Sequence, residues 1–410
     1  MSTTTALIWG YFGTATKLVC QFVLTILLAR LLGPEPYGIM AIAILPLGLG
    51  ALVADAGFGS GLIQRQVINN SLIAQCMWWQ MAIGLMLGVL LLLLAFPLTR
   101  ILGCEGALPY MMAASAIFPI NAMSQVPAAL LRRDMRFKEL QVAGVSAILL
   151  GHICIGLPLA LLGGGAWALV VSTIAQALIN AVIVWLYIRP SWTWRWQPWP
   201  SSMSRFSASV IGLNLANWTI TNTETIALSR QFGTNMLGSY NRLTVISTGL
   251  VGMLISTLQS VLLVHHSRQQ GNILLVRRQW LKTTALCAGF FGILASLLVF
   301  APGLIISWTL GPRWMSLQHI LQILALCMVA NAIMSVCGPV LQALGRPERE
   351  FRIQFVIAII AIPGLLWSAS TQDLENFTWM VTGLACLRCC AMIGITIETL
   401  WTIKPAPNPS

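Results

Sequence analysis

Thr25–Arg65 reads TILLARLLGPEPYGIMAIAILPLGLGALVADAGFGSGLIQR: the end of one apolar segment, a Gly/Pro turn and a complete second apolar segment. An echo of it decides the fold. Two hundred residues later, Thr225–Gly238 reads TIALSRQFGTNMLG against TILLARLLGPEPYG, with Thr25/Thr225, Ile26/Ile226, Leu28/Leu228, Arg30/Arg230, Gly33/Gly233 and Gly38/Gly238 matching without a gap. An arginine closing a helix, followed by two glycines, therefore stands near the start of each half. Self-similarity at a fixed offset is the mark of a duplicated architecture.

The surroundings of that stretch say what is duplicated. The chain has 410 residues, 57% of them hydrophobic and only 8% charged, with a mean hydropathy of +0.82. A soluble domain carries about 25% charged residues, so a soluble fold is excluded. A helix crossing the hydrocarbon core needs about 20 mainly apolar residues. Twelve such segments are predicted: 6–32, 38–63, 74–99, 106–131, 140–162, 165–188, 207–229, 237–263, 281–309, 317–344, 353–370 and 377–402. The expected fold is all-α, a polytopic membrane protein of about twelve transmembrane helices in two pseudo-symmetric six-helix lobes.

The predicted boundaries are an N-terminal lobe 1–190, a connector 191–206, a C-terminal lobe 207–402 and a tail 403–410. The connector region, RPSWTWRWQPWPSSMSR, carries Trp192, Trp194, Trp196 and Trp199, which suit interfacial anchoring. Leu102-Gly103 follows the third segment as Leu310-Gly311 follows the ninth, so the echo extends beyond one turn. Six segments per half start both halves on the same side, which makes the repeat parallel and not inverted.

The net charge of +12 invites a nucleic-acid reading, but the placement of the basic residues argues against one. Arg65, Arg132, Arg133, Arg136, Lys138, Arg189, Arg195, Arg205, Arg268, Arg277, Arg278, Lys282, Arg346, Arg349, Arg352 and Lys404 fall on one set of alternate loops, 16 in all. The other set holds 4: Arg30, Arg100, Arg230 and Arg313. Cytoplasmic loops collect Lys and Arg, so both termini are expected in the cytoplasm. The first segment lacks a basic n-region and a cleavage pattern, and reads as a retained span.

Three cations remain, Lys17, Arg242 and Arg388, inside apolar segments, together with the acids Asp55 and Glu224. A cation at mid-bilayer costs roughly 2.5–3.5 kcal/mol on insertion scales, so such groups face a partner or an aqueous cavity. One reading pairs Lys17 with Asp55 and Arg242 with Glu224 as structural salt bridges. The other lines a cationic cavity that attracts an anionic headgroup. At the repeat offset Lys17 meets Asn217, Asp55 meets Ile255 and Arg242 meets Ile42, so the turns are duplicated and the buried charges are not.

The ten cysteines show no metal-ligand spacing, and no G-x-x-x-x-G-K-[ST] loop occurs. Nor does a nucleophile–base pattern. An enzyme is not expected, nor a cofactor. Gly57, Gly59 and Gly61 read as helix-packing glycines, His265 and His266 as a pair at a helix end, and His152 as a histidine within the fifth segment.

ARLLGPEPYG (Ala29–Gly38), DAGFGSGLIQR (Asp55–Arg65), ALLRRDMRFKEL (Ala129–Leu140), LGPRW (Leu310–Trp314) and GSYNR (Gly238–Arg242) together resemble the Wzx-type polysaccharide flippases. These belong to the multidrug/oligosaccharidyl-lipid/polysaccharide exporter superfamily; the O-antigen and colanic-acid branch is the nearest in pattern. The resemblance implies movement of undecaprenyl-pyrophosphate-linked oligosaccharide from the cytoplasmic to the periplasmic leaflet of the bacterial inner membrane, by alternating access. It implies Lys17, Arg242, Arg30 and Arg230 as substrate-binding cations, with Asp55 and Glu224 as coupling or structural partners. It also implies work beside a polysaccharide polymerase and chain-length components. Two other functions compete: a cation-coupled multidrug extruder of the same superfamily, and a non-transporting partner in a polysaccharide assembly complex. A lysine, not a carboxylate, in the first span disfavours the extruder.

Overall fold

A computed structural model describes residues 3–55, 68–189, 204–249 and 272–402, with single positions such as Leu62 and His266 between them. The connector tryptophans, Gly57, Gly59, Gly61, Arg65, the side chain of Asp55 and the 403–410 tail lie outside the described residues.

The described residues are helical throughout, without strands. The first half contains α1 (Thr3–Leu32), α2 (Pro34–Asp55), α3 (Asn70–Ile101), α4 (Leu108–Ala114), α5 (Ile117–Arg133), α6 (Phe137–Leu149), a π-helical turn Leu150–Gly156, α7 (Leu157–Leu161) and α8 (Ala166–Ile188). The second contains α9 (Ser204–Thr244), a π turn Val245–Gly249, α10 (Ile273–Phe300), α11 (Pro302–Thr309), α12 (Gln318–Ala343), α13 (Pro347–Ser370) and α14 (Leu374–Thr402). Nine stretches among the described residues are long and apolar enough to cross a membrane, which makes this a multi-pass membrane protein. Contacts group the chain into two compact units, Met1–Gly238 and Ser239–Ser410.

The echo is conformational as well as sequential. Gly33 and Gly233 both take positive φ, 77° and 76°, and Gly233 breaks α9 into two helices where the spacing predicts a turn. Gly103 (φ 69°) and Gly311 (φ 95°) repeat this after the third and ninth segments. A left-handed residue costs glycine little and other residues more, which is why these four positions keep glycine. The turn at Gly33 is tighter than the expected five-residue connection, because α2 begins at once on Pro34. Proline has no N–H to lose at the first helical position and its φ is already helical.

A third matching corner has no glycine in its first copy. At Asp134–Arg136, Met135 N–H donates to Arg132 C=O at 3.1 Å and Arg136 N–H to Leu131 C=O at 2.9 Å. At Leu344–Arg346, Gly345 N–H donates to Gln342 C=O at 3.0 Å and Arg346 N–H to Leu341 C=O at 2.9 Å. Both are Schellman closures, at the ends of the fourth and tenth segments.

Packing in the first unit follows small residues, as expected where lipid removes the hydrophobic drive between helices. Gly84 and Gly88, one turn apart on α3, receive the Phe118–Ala122 and Ser115–Pro119 stretches in antiparallel order. Gly151 and Gly156 receive Gln176 and Ser172 of α8. In the second unit α12 is the central helix, buried along most of its length and packed against α10, α13 and α14. Gln322 Nε2 of α12 donates to Val299 C=O at 2.8 Å, and Thr382 Oγ1 of α14 to Ile323 C=O at 3.4 Å.

Candidate functional site

The best-defined candidate lies on the seam between α1 and α6. Three levels of contact climb it in step: Lys138 Nζ sits 5.4 Å from the centre of the Trp9 ring, Gln141 Nε2 donates to Thr14 Oγ1 at 3.3 Å, and Lys17 reaches Gly144. Numbers rise together on both helices, so the first and fifth segments run parallel, as alternating topology requires. Positions 9, 13 and 17 share one face of α1 because residues four apart lie one above another. Gly13 leaves room for the Gln141 side chain, and a Cβ at Gly144 would overlap the Lys17 ammonium.

Lys17 is therefore seated against the α6 backbone, half-buried, in the middle of a spanning helix. It has no ion-pair partner among the described residues; the charged group whose field reaches it is Arg132, also a cation. Lys17 and Arg132 thus set two positive charges near one seam, and neither has an ion-pair partner among the described residues. An ammonium has three donors to offer an anion.

The other expected cations are differently placed. Arg30 and Arg230 are exposed, each near the end of its helix. Glu224 is half-buried, in the first unit. Arg242 is half-buried in the second unit, where Nη2 donates to Asn241 Oδ1 at 3.2 Å. It lies deeper than its spacing implies: the helix resumes directly after Gly233, placing Arg242 roughly 12 Å along it at about 1.5 Å per residue. Arg388 is held by a neighbouring helix, donating from Nη2 to Gln354 Oε1 of α13 at 2.7 Å.

Beside these cations stands a feature that sequence could suggest but not assemble. Within the first unit, a Cβ on Gly38 would overlap the carbonyl oxygen of Thr234, and a Cβ on Gly238 would overlap that of Pro34. The pairs are the same pair exchanged by the repeat offset: 38 with 234, 238 with 34. The echoed turns thus dock reciprocally, backbone on backbone, about a local pseudo-twofold axis. Gly38 and Gly238 recur because each is the floor on which the opposite turn rests. No group of three or more His, Cys, Asp or Glu arranged for a metal occurs among the described residues.

This arrangement of helices is that of a known class of membrane transport proteins. The chain superposes on the lipid II flippase MurJ in an inward closed conformation with a TM-score of 0.75, at 12% identity, covering 97% of this chain and 89% of that one. It superposes on an inward-facing multidrug resistance MATE family transporter with a TM-score of 0.62, at 15% identity, over 98% and 96% of the two chains. Sequence narrows the class: residues 27–319 match the profile of the family described as polysaccharide biosynthesis protein, and the chain belongs to that family, among its Wzx-type flippases. Similar proteins include the succinoglycan biosynthesis transport protein ExoT of Rhizobium meliloti, 26% identical over 91% of this chain and 76% of that protein. The lipopolysaccharide biosynthesis protein WzxC of Escherichia coli is 21% identical over 87% and 73%.

Proposed function

We propose that this protein moves lipid-linked oligosaccharide units from the cytoplasmic to the periplasmic leaflet of a bacterial inner membrane, for assembly of a surface polysaccharide. It does so as a transporter, without chemical conversion of the substrate. The supporting observation is Lys17: an ammonium in mid-span, seated by Gly144 and lacking a counter-ion among the described residues, in a chain of the polysaccharide biosynthesis family.

The physical logic begins with the substrate. Sugar hydroxyls entering hydrocarbon lose their water partners at a cost of several kcal/mol per group, so a polar path must replace the water while the lipid tail stays in the bilayer. The pyrophosphate, common to such substrates, is the charge a cation can grip. Lys17 and Arg242 are the proposed grips from the two lobes, with Arg30 and Arg230 as outer contacts. Asp55 and Glu224 balance them when the substrate is absent. Both termini lie in the cytoplasm in this scheme, following the bias of Arg and Lys between loops. Lobes 1–190 and 207–402, joined by the 191–206 connector, give alternating access, and a polymerase with its chain-length component receives the product.

The drug-extruder reading shares the fold but predicts an acidic cavity, and the first span offers a lysine. Complementation separates the two: a deletion strain lacking surface polymer and accumulating lipid-linked units, restored by the wild-type gene, supports the flippase. Unchanged polymer with new drug sensitivity overturns it.

A further inference from the structure

The second unit contains an apolar groove of about 330 Å³, lined by Ile255 and Leu258 on one side and Thr283, Leu286, Cys287, Phe290 and Phe291 of α10 on the other. Its α10 wall is not closed by protein: Leu286 and Phe290 are exposed, as are Ile293 and Leu297 further along the helix. In a membrane helix such a wall meets lipid. An apolar recess alone would say only that an acyl chain passes over it. What stands at its mouth says more.

Residues 279, 283, 286 and 290 share one face of α10, by the i, i+4, i+7, i+11 spacing. Gln279 is thus one turn beyond the lining, toward the basic end of the helix. On the flank of that face stand Arg278 and Lys282, both exposed and neither in an ion pair among the described residues. Their neighbour Arg277 is already engaged: Nε donates to Leu400 C=O at 2.9 Å, and the guanidinium lies 4.9 Å from the centre of the Trp401 ring. Two cations outside any ion pair among the described residues therefore stand about one helical turn from an apolar trough. That is the profile of an anionic headgroup with one long hydrocarbon tail.

We infer that this groove seats the prenyl chain of the lipid-linked substrate, with Arg278 and Lys282 holding its pyrophosphate at the cytoplasmic rim before transport. The inference rests on the flippase reading and extends it to a loading site on the second unit. A single tail fits the one trough better than the paired chains of a phospholipid. The T-shaped pair Phe290–Phe291, centroids 5.1 Å apart, offers ring faces to an unsaturated, methyl-branched chain.

A photo-crosslinking amino acid at Phe290 tests this, with a control at Phe300, exposed at the far end of the same helix. The full chain is placed in phosphatidylethanolamine/phosphatidylglycerol vesicles doped with a polyprenyl-pyrophosphate trisaccharide, and adducts are identified by mass spectrometry. The inference expects a prenyl adduct at position 290, at least tenfold above position 300, and a fall of at least tenfold when Arg278→Gln and Lys282→Gln are combined. Phospholipid adducts alone, equal labelling at 300, or labelling unchanged by the double variant overturns it. Flipping by the unmodified protein is measured in the same vesicles. If flipping is intact and the prenyl adduct absent, the groove is refuted and the flippase stands; if flipping is absent, the flippase reading falls whatever the adduct.

Discussion

Replacing Gly38 by alanine tests the reciprocal turns. The added Cβ would lie 2.6 Å from the Thr234 carbonyl carbon and 2.9 Å from its Cα, against the 3.4–4 Å of ordinary contact, and would overlap the carbonyl oxygen. The obstacle is backbone, so no side chain can rotate away, and the segments must separate by about 1 Å. Overpacking of this kind costs about 1–3 kcal/mol, a factor of roughly 5 to 150 in an equilibrium. Because the contact is reciprocal, Gly238→Ala meets the Pro34 carbonyl and should cost nearly the same. Melting of the detergent-solubilised protein, followed by a thiol dye reacting with the buried Cys76, Cys327 and Cys337, gives the readout. Both variants are expected to melt several degrees below wild type. If either melts with wild type, or one is neutral while the other is severe, the reciprocal contact is not what holds the two turns.

Gly144→Val should displace the Lys17 ammonium from its seat, and its transport loss should match that of Lys17→Ala; a fully active Gly144→Val in a substrate-transport assay contradicts the seat. Arg349 donates to Glu398 at 3.3 Å and to Thr399 at 3.0 Å across a partly exposed gap. Such pairs are worth about 1 kcal/mol or less, so Arg349→Ala should lower the melting midpoint slightly and leave membrane levels intact, as immunoblotting would show. Burial, and then the neighbouring His265, pushes His266 below its ordinary 6.5. The unfolded chain therefore binds the extra proton first: stability is full above pH 6.5 and declines as pH falls from there toward the lowered folded value. His266→Phe should flatten that part of a melting-versus-pH curve.

Much of the fold is legible in the sequence. Gly33, Gly233, Gly103 and Gly311 announced their corners because a left-handed residue selects glycine. The corner at Met135 escaped notice for the same reason reversed: its φ of 56° is carried by a methionine, leaving no glycine to align with Gly345. The candidate site was legible only in part. Lys17 stood out because a charge in an apolar run is costly, but its seat is Gly144, on a helix more than a hundred residues away. Only tertiary packing selects that partner. The same holds for Arg388, where Gln354 accepts a hydrogen bond from the guanidinium and no charge pattern marks an amide as the acceptor. Gly38 and Gly238 were visible as a match, yet their role depends on one turn lying on the other.

The central claim is that a mid-span cation grips the phosphate of a lipid-linked saccharide. Translocation of a fluorescent polyprenyl-pyrophosphate oligosaccharide, measured in vesicles containing wild type or Lys17→Ala, bears on it most directly. Wild type should move the lipid-linked saccharide to the opposite leaflet, and Lys17→Ala should do so at least tenfold more slowly, with equal protein in the membrane. Equal rates in the two would contradict the claim.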